Sequence, residues 1–322
     1  MSCLLFKLQF ETPVHFGPPD SALSLYASEE TFCADTLFSA LCHTALSLHG
    51  PEGVETLCRW VQERKLLLSD AMPWADDLLY LPKPCAAARQ AQEVDARIRK
   101  LVKKTRWVPV AAFDAFAESL AGGEPYDPTE YPVSFGHHFE VTRAAVQPGE
   151  DALPYSVGAF VFDPECGLYI LAQCEEEAEQ ELRLLMEGLG KSGIGGKVSS
   201  GYGRFSAVCE MLDEQTPDPQ LRWLYQAMNR EAEQYLLLTT SLPADNELDN
   251  ALEGAGFQVV RRGGFVQPGG CADTASKKRT QYFLASGAVL RCRFAGDLYM
   301  VGKGSGHPVY RYSRPILLGV TL

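Results

Sequence analysis

The chain has 322 residues, of which 46% are hydrophobic and 22% charged; this excludes a disordered, collagenous or coiled-coil protein and leaves length for two cores. With 29 Lys and Arg against 41 Asp and Glu, the formal charge of −12 argues against a wholly basic nucleic-acid binder. The acidity is uneven, because residues 255–322 carry ten basic and only two acidic residues.

Cys3 to Phe10 alternates as a short strand, and the turn-rich stretch His15 to Asp20 follows. Asp35 is placed to cap a helix whose apolar positions Leu37, Phe38, Leu41, Ala45 and Leu48 share a face, and Gly50 and Pro51 stop it. A second helix is predicted from Glu52 to Lys65, with short strands at Leu66 to Leu68 and Leu78 to Leu81. Residues 83–153 are punctuated by prolines and hold one predicted helix, Ala86 to Lys104, so they read as an inserted arm outside the core. Val157 to Phe162 and Leu168 to Ala172 then read as strands paired around the turn Asp163 to Gly167. An amphipathic helix, Glu175 to Glu187, leads through a glycine-rich segment to a strand from Arg204 to Leu212. The order β-α-(α)-β-β-insertion-β-β-α-β is compatible with a ferredoxin-like fold.

A helical linker around Leu221 to Gln234 precedes a second unit. It is expected to contain the strand Tyr235 to Thr240, the helix Asp245 to Leu252 and strands near 257–261, 281–285, 289–294, 299–301 and 315–320. The expected fold is α+β with two ferredoxin-like (RRM-like) domains, 1–215 and 216–322. The first carries the insertion at 83–153 and a Gly-rich loop before its last strand.

No apolar run reaches the roughly 18 to 20 residues of a membrane span, and the N-terminus lacks the pattern of a signal peptide. The ten Cys never form C-x-x-C and none has His at zinc-finger spacing. These features predict a cytoplasmic protein with no structural metal, no cofactor and no membrane contact.

The segment Gly188 to Phe205, GLGKSGIGGKVSSGYGRF, holds seven Gly, two Lys, three Ser, a Tyr and an Arg with no acidic residue. Such a loop offers amide and hydroxyl donors and lets phosphates approach closely. It matches G-x-G-x-x-G by letter, but a helix precedes it and a strand follows, the reverse of the dinucleotide fingerprint. A P-loop fails as well, since Leu185 stands where its first Gly belongs and Val198 follows Lys197.

This segment resembles the Gly-rich loop of the RAMP superfamily of CRISPR-associated proteins, and more narrowly that of the fourth subunit of type III-A (Csm) interference complexes. Val14 to Gly17, Ala34 to Leu41, Arg106 to Pro109, Arg261 to Val266 and His307 to Tyr312 agree, while Val198 stands where the family pattern would place Arg or another polar residue. The resemblance implies a non-catalytic subunit that holds the 5′ handle of the CRISPR RNA. Its implied partners are CRISPR RNA and target RNA, the large palm-domain signature subunit and the adjacent RAMP backbone subunit. It further implies a thumb-like hairpin within Tyr131 to Tyr155, near His137, His138 and Arg143. In the sibling backbone subunits a loop aspartate cuts target RNA; here Asp35 opens a helix and is read as its cap.

The first-rank expected RNA contacts are Lys191, Ser192, Lys197, Ser199, Ser200, Tyr202 and Arg204. Cations would neutralise phosphates, Ser hydroxyls would bond phosphate or 2′-OH oxygens, and Tyr202 would stack on a base or pack on the sheet. His15 and Arg143 join them. In the second unit Arg261, Arg262, Phe265, Arg311 and Tyr312 combine cations with aromatics, whereas Lys277, Lys278 and Arg279 read as solvating a loop. The arm adds Arg97, Lys100, Lys103, Lys104, Arg106 and Trp107. The alternative function is a metal-independent endoribonuclease processing CRISPR repeat RNA, with His15 or His43 as general base or acid and Lys191 stabilising the transition-state charge.

Overall fold

The computed structural model describes residues 1–18, 24–87, 95–131, 134–146, 151–266, 277–303 and 308–322. The first half contains β1 (Ser2–Phe10), α1 (Ala34–Gln62), β2 (Leu66–Leu68), β3 (Met72–Ala75), β4 (Leu78–Pro82), α2 (Ala96–Lys104), β5 (Trp107–Pro109), α3 (Phe113–Ala121) and β6 (Gly136–Ala145). There follow β7 (Leu153–Phe162), β8 (Cys166–Cys174), α4 (Glu176–Ser192), β9 (Phe205–Leu212) and α5 (Pro219–Asn229). The last part comprises β10 (Gln234–Leu237), α6 (Leu248–Leu252), β11 (Val259–Arg262), β12 (Gln281–Leu284), β13 (Val289–Leu290), β14 (Asp297–Lys303), β15 (Pro308–Ser313) and β16 (Leu317–Val320).

β1 lies inside a seven-stranded antiparallel sheet of order β5-β4-β3-β8-β1-β9, with β2 also on β8. Its apolar side chains bury on both faces. Leu4, Phe6 and Leu8 join α1 and α4 in one core, while Cys3 and Leu5 join α3, α5 and the last strand in another. α1 sends Leu37, Phe38, Leu41, Ala45, Leu57 and Val61 into the first core, the helical spacing that one covered face requires. Gly50, at φ 68° and ψ −161°, interrupts it, and Pro51 restarts it where a missing N–H costs nothing.

Several expectations change. Val157 to Phe162 belongs to β7, which pairs with β6 rather than β8; β8 has β1 on one edge and β2 and β3 on the other, leaving no free edge. Residues 83–153 are not wholly an arm. β5 closes one end of the main sheet, and Val108, Val110, Phe113 and Phe116 are core. Part of the predicted helix Ala86 to Lys104 lies outside the described residues. The two expected units also share a core, since Leu5, Tyr169 and Leu171 pack with Leu224, Leu236 and Leu318. The second unit has a small sheet, β13-β10-β16, and two ribbons, β11-β12 and β14-β15.

Asp35 is not the cap of α1. Cys33 holds the cap position without a side-chain bond, and the Ala34 amide donates to Asp70 Oδ1 at 2.8 Å. Asp70, buried, also accepts from the Thr240 amide (3.0 Å) and hydroxyl (2.6 Å), so one carboxylate joins β2, α1 and the second unit. Burial outweighs these bonds and pushes its carboxyl up to about 6. The folded state therefore holds a proton between about pH 4 and 6 that the unfolded chain has released. Stability from this group falls as pH rises through that window and levels above it, by on the order of 3 kcal/mol. Thermal melts of Asp70→Asn across pH 4 to 7 should lose that slope; an unchanged slope would assign it elsewhere.

Among the described residues no helix is long and apolar enough to cross a membrane, and no group of three or more His, Cys, Asp or Glu is arranged to hold a metal.

Candidate nucleic-acid interface

The glycine-rich segment is shorter as a loop than its composition suggests. α4 continues through Ser192, so Lys191 and Ser192 stand on its last turn, and Gly193 at φ +91° ends it. The following turn is pinned to residues 13–15: Gly203 donates to Pro13 O (2.8 Å), Gly196 to His15 O (2.8 Å) and Ile194 to Gly203 O (3.0 Å). A Cβ on Gly203 would lie 2.0 Å from Ile194 O, and one on Gly196 2.5 Å from His15 Cδ2. These glycines serve close packing first. Among the described residues, the amides of Gly195, Lys197, Val198 and Ser199 carry no partner of the protein's own.

A groove of about 920 Å³ runs from this turn along α1 to β11 and β15. The turn supplies Ser192, Gly195 and Gly196, α1 supplies His43 and Ser47, and the second unit supplies Phe265 and Lys278. Arg106 reaches it from the arm and pairs with Glu29 at 3.9 Å. Phe265 is 63% exposed, an aromatic face open to a ligand. Burial lowers the Lys278 ammonium below its ordinary value, with Arg311 and Arg262 adding to the effect against Asp35. The sequence gives Lys278 only a solvating role; the pairing of β11 with β12, which the strand pattern does not reveal, and the bond of its amide to Gly264 O bring it to the groove.

The floor of the groove is an ionic cluster. Arg262 Nε lies 3.1 Å from Asp35 Oδ2, and Arg311 Nε lies 3.7 Å from the same oxygen. Burial by itself would lower the Arg262 guanidinium, but the Asp35 carboxylate outweighs it and holds the group above its usual value. Arg311 also donates to the carbonyls of Arg262, Gly263 and Arg279. Arg262 and Arg311, expected as RNA contacts, are thus committed to Asp35 and to the backbone. Tyr312 is fully buried, its Oη accepting from the Leu68 amide at 2.6 Å. It is a core residue where an RNA contact was expected.

His15 is buried, with Nδ1 2.6 Å from Gly158 O, so it supports the turn from beneath. Tyr202 is buried at 7% and faces Arg143, whose guanidinium lies 6.0 Å from the ring. Lys197 lies 5.3 Å from the Tyr155 ring, and Arg143 is the register partner of Tyr155. Two cation–π contacts therefore tie the β6-β7 hairpin to the turn. Tyr155 had been placed only as an end of the hairpin stretch. Ser199, Ser200 and Arg204 are exposed, and Lys191 is exposed beside Glu187 at 2.6 Å, facing away from the groove. Arg261 is exposed on β11.

On the arm, Arg97, Lys100, Lys103 and Lys104 are exposed on α2, which buries no residue. Trp107 differs from expectation: it lies in β5, half-buried against both cores, with its Nε1 buried and without a hydrogen-bond partner among the described residues. The predicted thumb stretch is a hairpin, extending to Phe162 beyond the expected Tyr155. Pro132 and Val133 of that stretch, and His307 of the C-terminal motif, lie outside the described residues.

A family model described as the CRISPR Csm4 C-terminal domain matches residues 230–320. The CRISPR system Cms protein Csm4 of Mycobacterium tuberculosis is 33% identical over 321 residues, covering 99% of this chain and 98% of its own. The chain belongs to the Csm4 family. The Csm4 protein of Streptococcus thermophilus is 28% identical over 321 residues, covering 98% of each. A Csm3–Csm4 subcomplex of the type III-A CRISPR–Cas interference complex is similar in fold, with TM-score 0.65 at 16% identity over 100% of both chains. A Csm1–Csm4 cassette in complex with cA4 gives 0.63 at 20% over 100% of this chain and 99% of that one. Csm4 proteins are RAMP proteins, so the resemblance carried by the glycine-rich segment is borne out.

Proposed function

We propose that this Csm4-family chain is a non-catalytic RNA-binding subunit of a type III-A CRISPR effector complex. It holds the 5′ handle of the CRISPR RNA and links the large palm-domain subunit to the adjacent RAMP backbone subunit in antiviral defence. The groove of about 920 Å³ carries the reading: its wall includes Ser192, the glycine turn, Arg106, Lys278 and the exposed ring of Phe265. Cations, outward amides and an open aromatic are the equipment for a single strand read through phosphate and stacking. Similar chains occurring with Csm1 and with Csm3 support the two protein contacts. The β6-β7 hairpin supports a thumb contact with target RNA.

The strand order β9-β1-β8-β2, with α1 and α4 as crossovers, supports a ferredoxin-like reading of the first unit. The sheet β13-β10-β16 supports a reduced version of it in the second. Nine described cysteines, all free thiols, fit a reducing cytoplasm. The endoribonuclease alternative asks for a histidine free to move a proton. His15, buried with its Nδ1 bonded to Gly158 O, and His43 of α1 both line the groove, so this alternative is tested at both residues.

Fluorescence anisotropy with repeat-derived handle RNA, over a series of salt concentrations, tests the reading. Lys197→Ala combined with Lys278→Ala should weaken binding at least about tenfold and make the log–log salt slope shallower by about 1.4. Lys191→Ala should do less, because its ammonium faces Glu187. An unchanged slope in the double variant, or cleavage of the RNA that His15→Ala or His43→Ala abolishes, would overturn the proposal.

A further inference from the structure

We infer that His15 is the residue by which the groove tells ribose from deoxyribose: its Nε2 accepts a hydrogen bond from one 2′-hydroxyl of the bound strand. This rests on the proposed RNA-binding function and names a sugar contact within it. Only 6% of His15 is exposed, and its Nδ1 lies 2.6 Å from Gly158 O. A carbonyl oxygen only accepts, so Nδ1 must carry a proton. In the uncharged ring that leaves Nε2 as an acceptor. Among the described residues no group donates to it. The atom is not sealed in the core: His15 lines the groove, and Nε2 keeps open surface there.

Two glycines keep the approach to Nε2 clear. A Cβ on Gly17 would stand 3.4 Å from that nitrogen and one on Gly196 3.5 Å, so a side chain at either position would crowd it. The ring is also held from two sides. Nδ1 is tied to Gly158 of β7, and the His15 carbonyl accepts from the Gly196 amide at 2.8 Å. An acceptor fixed in this way cannot turn aside to find a partner of its own.

The neighbouring groups set what the acceptor meets. The outward amides of Gly195, Lys197, Val198 and Ser199 are donors, suited to phosphate oxygens. The exposed ring of Phe265 lines the same groove and offers a stacking face for a base. A strand with its phosphates on the turn brings its sugars beside His15. Along that backbone the phosphate and ring oxygens only accept, and the 2′-hydroxyl is the group that donates. DNA would leave Nε2 desolvated and unpaired.

Fluorescence anisotropy of the full chain with repeat-derived handle RNA tests this, each nucleotide in turn carrying 2′-fluoro, which keeps the ribose pucker but removes the donor. One position should lose affinity at least about fivefold, the effect of a single hydrogen bond. His15→Asn, whose side-chain amide can still donate to Gly158 O, should lose the same factor on unmodified RNA. It should bind the 2′-fluoro strand no worse than the unsubstituted chain does and keep its melting temperature. Proton–nitrogen correlation spectra of the imidazoles, in buffer where the ring is uncharged, should show His15 with its proton on Nδ1; this reads the acceptor even where the Asn variant does not fold. Absence of a sensitive position, equal 2′-fluoro sensitivity with and without His15, dependence on a base amino group instead of the sugar, or a proton on Nε2 would each overturn the inference and leave RNA binding standing. Cleavage of the strand at the sensitive position would make His15 a catalytic base and overturn the proposed function as well, and a chain that binds neither strand would sink both.

Discussion

Replacing Arg262 with methionine should destabilise the chain by about 3–5 kcal/mol, the range for removing one partner of a buried ion pair. Asp35 and Arg262 are only 10% and 13% exposed at their side chains, and among the described residues the ion pair left to Asp35 would be Arg311, 3.7 Å away and occupied with three carbonyls. Chemical denaturation would measure the loss. Adding Asp35→Asn should restore part of it, because the stranded charge is then gone, and the non-additivity of that cycle reports the pair directly. A loss under about 1 kcal/mol would mean that water already reaches the carboxylate. Handle-RNA affinity should fall with it, since the pair holds β11 against the first turn of α1 and so fixes the width of the groove.

Gly203→Ala is expected to be the most damaging change in the glycine turn. Its φ of +76° is a conformation that L-residues adopt at a cost of about 1–2 kcal/mol, and its Cβ would meet Ile194 O at 2.0 Å. The turn must then leave Pro13 and Ile194, so RNA affinity should drop at least about tenfold along with the melting temperature. Gly201→Ala is the matched control. It has φ +85° but open space around it, so only the backbone cost applies. Equal effects of the two substitutions would show that strain alone, and not the fit of the turn on residues 13–15, made the glycine necessary.

Much of the first unit was legible because its elements repeat apolar residues at strand or helix spacing. β1, the two halves of α1, β2, β4 and the start of α4 follow that pattern. β7 was found as a strand but given the wrong partner, since pairing depends on which edges of β8 are free, a tertiary matter. β5 and α3 were hidden by the prolines around them, which mark turns without saying what lies between. Glycines were read as freedom for a ligand, and several prove to be room for the protein's own backbone. Among cations, composition separated loop from core poorly. Arg262 and Arg311 look like RNA-binding charge in sequence, yet Asp35 and backbone carbonyl groups claim them. Lys278 lines the groove, and Lys197 stands between the lining residues Gly196 and Val198 with its ammonium over the Tyr155 ring.

The pairing of β1 has a consequence for the order of synthesis. Ser2 to Phe10 is made before both of its neighbours, Leu168 to Cys174 and Phe205 to Leu212, and the lid over α1 includes Tyr312. The nascent chain must carry a strand that is apolar on both faces through most of translation, and contacts this distant in sequence form slowly. Groove, core and ionic cluster all close on the final residues. A ribosome that stops early releases a chain in which groove, core and ionic cluster are all left unfinished by the topology itself.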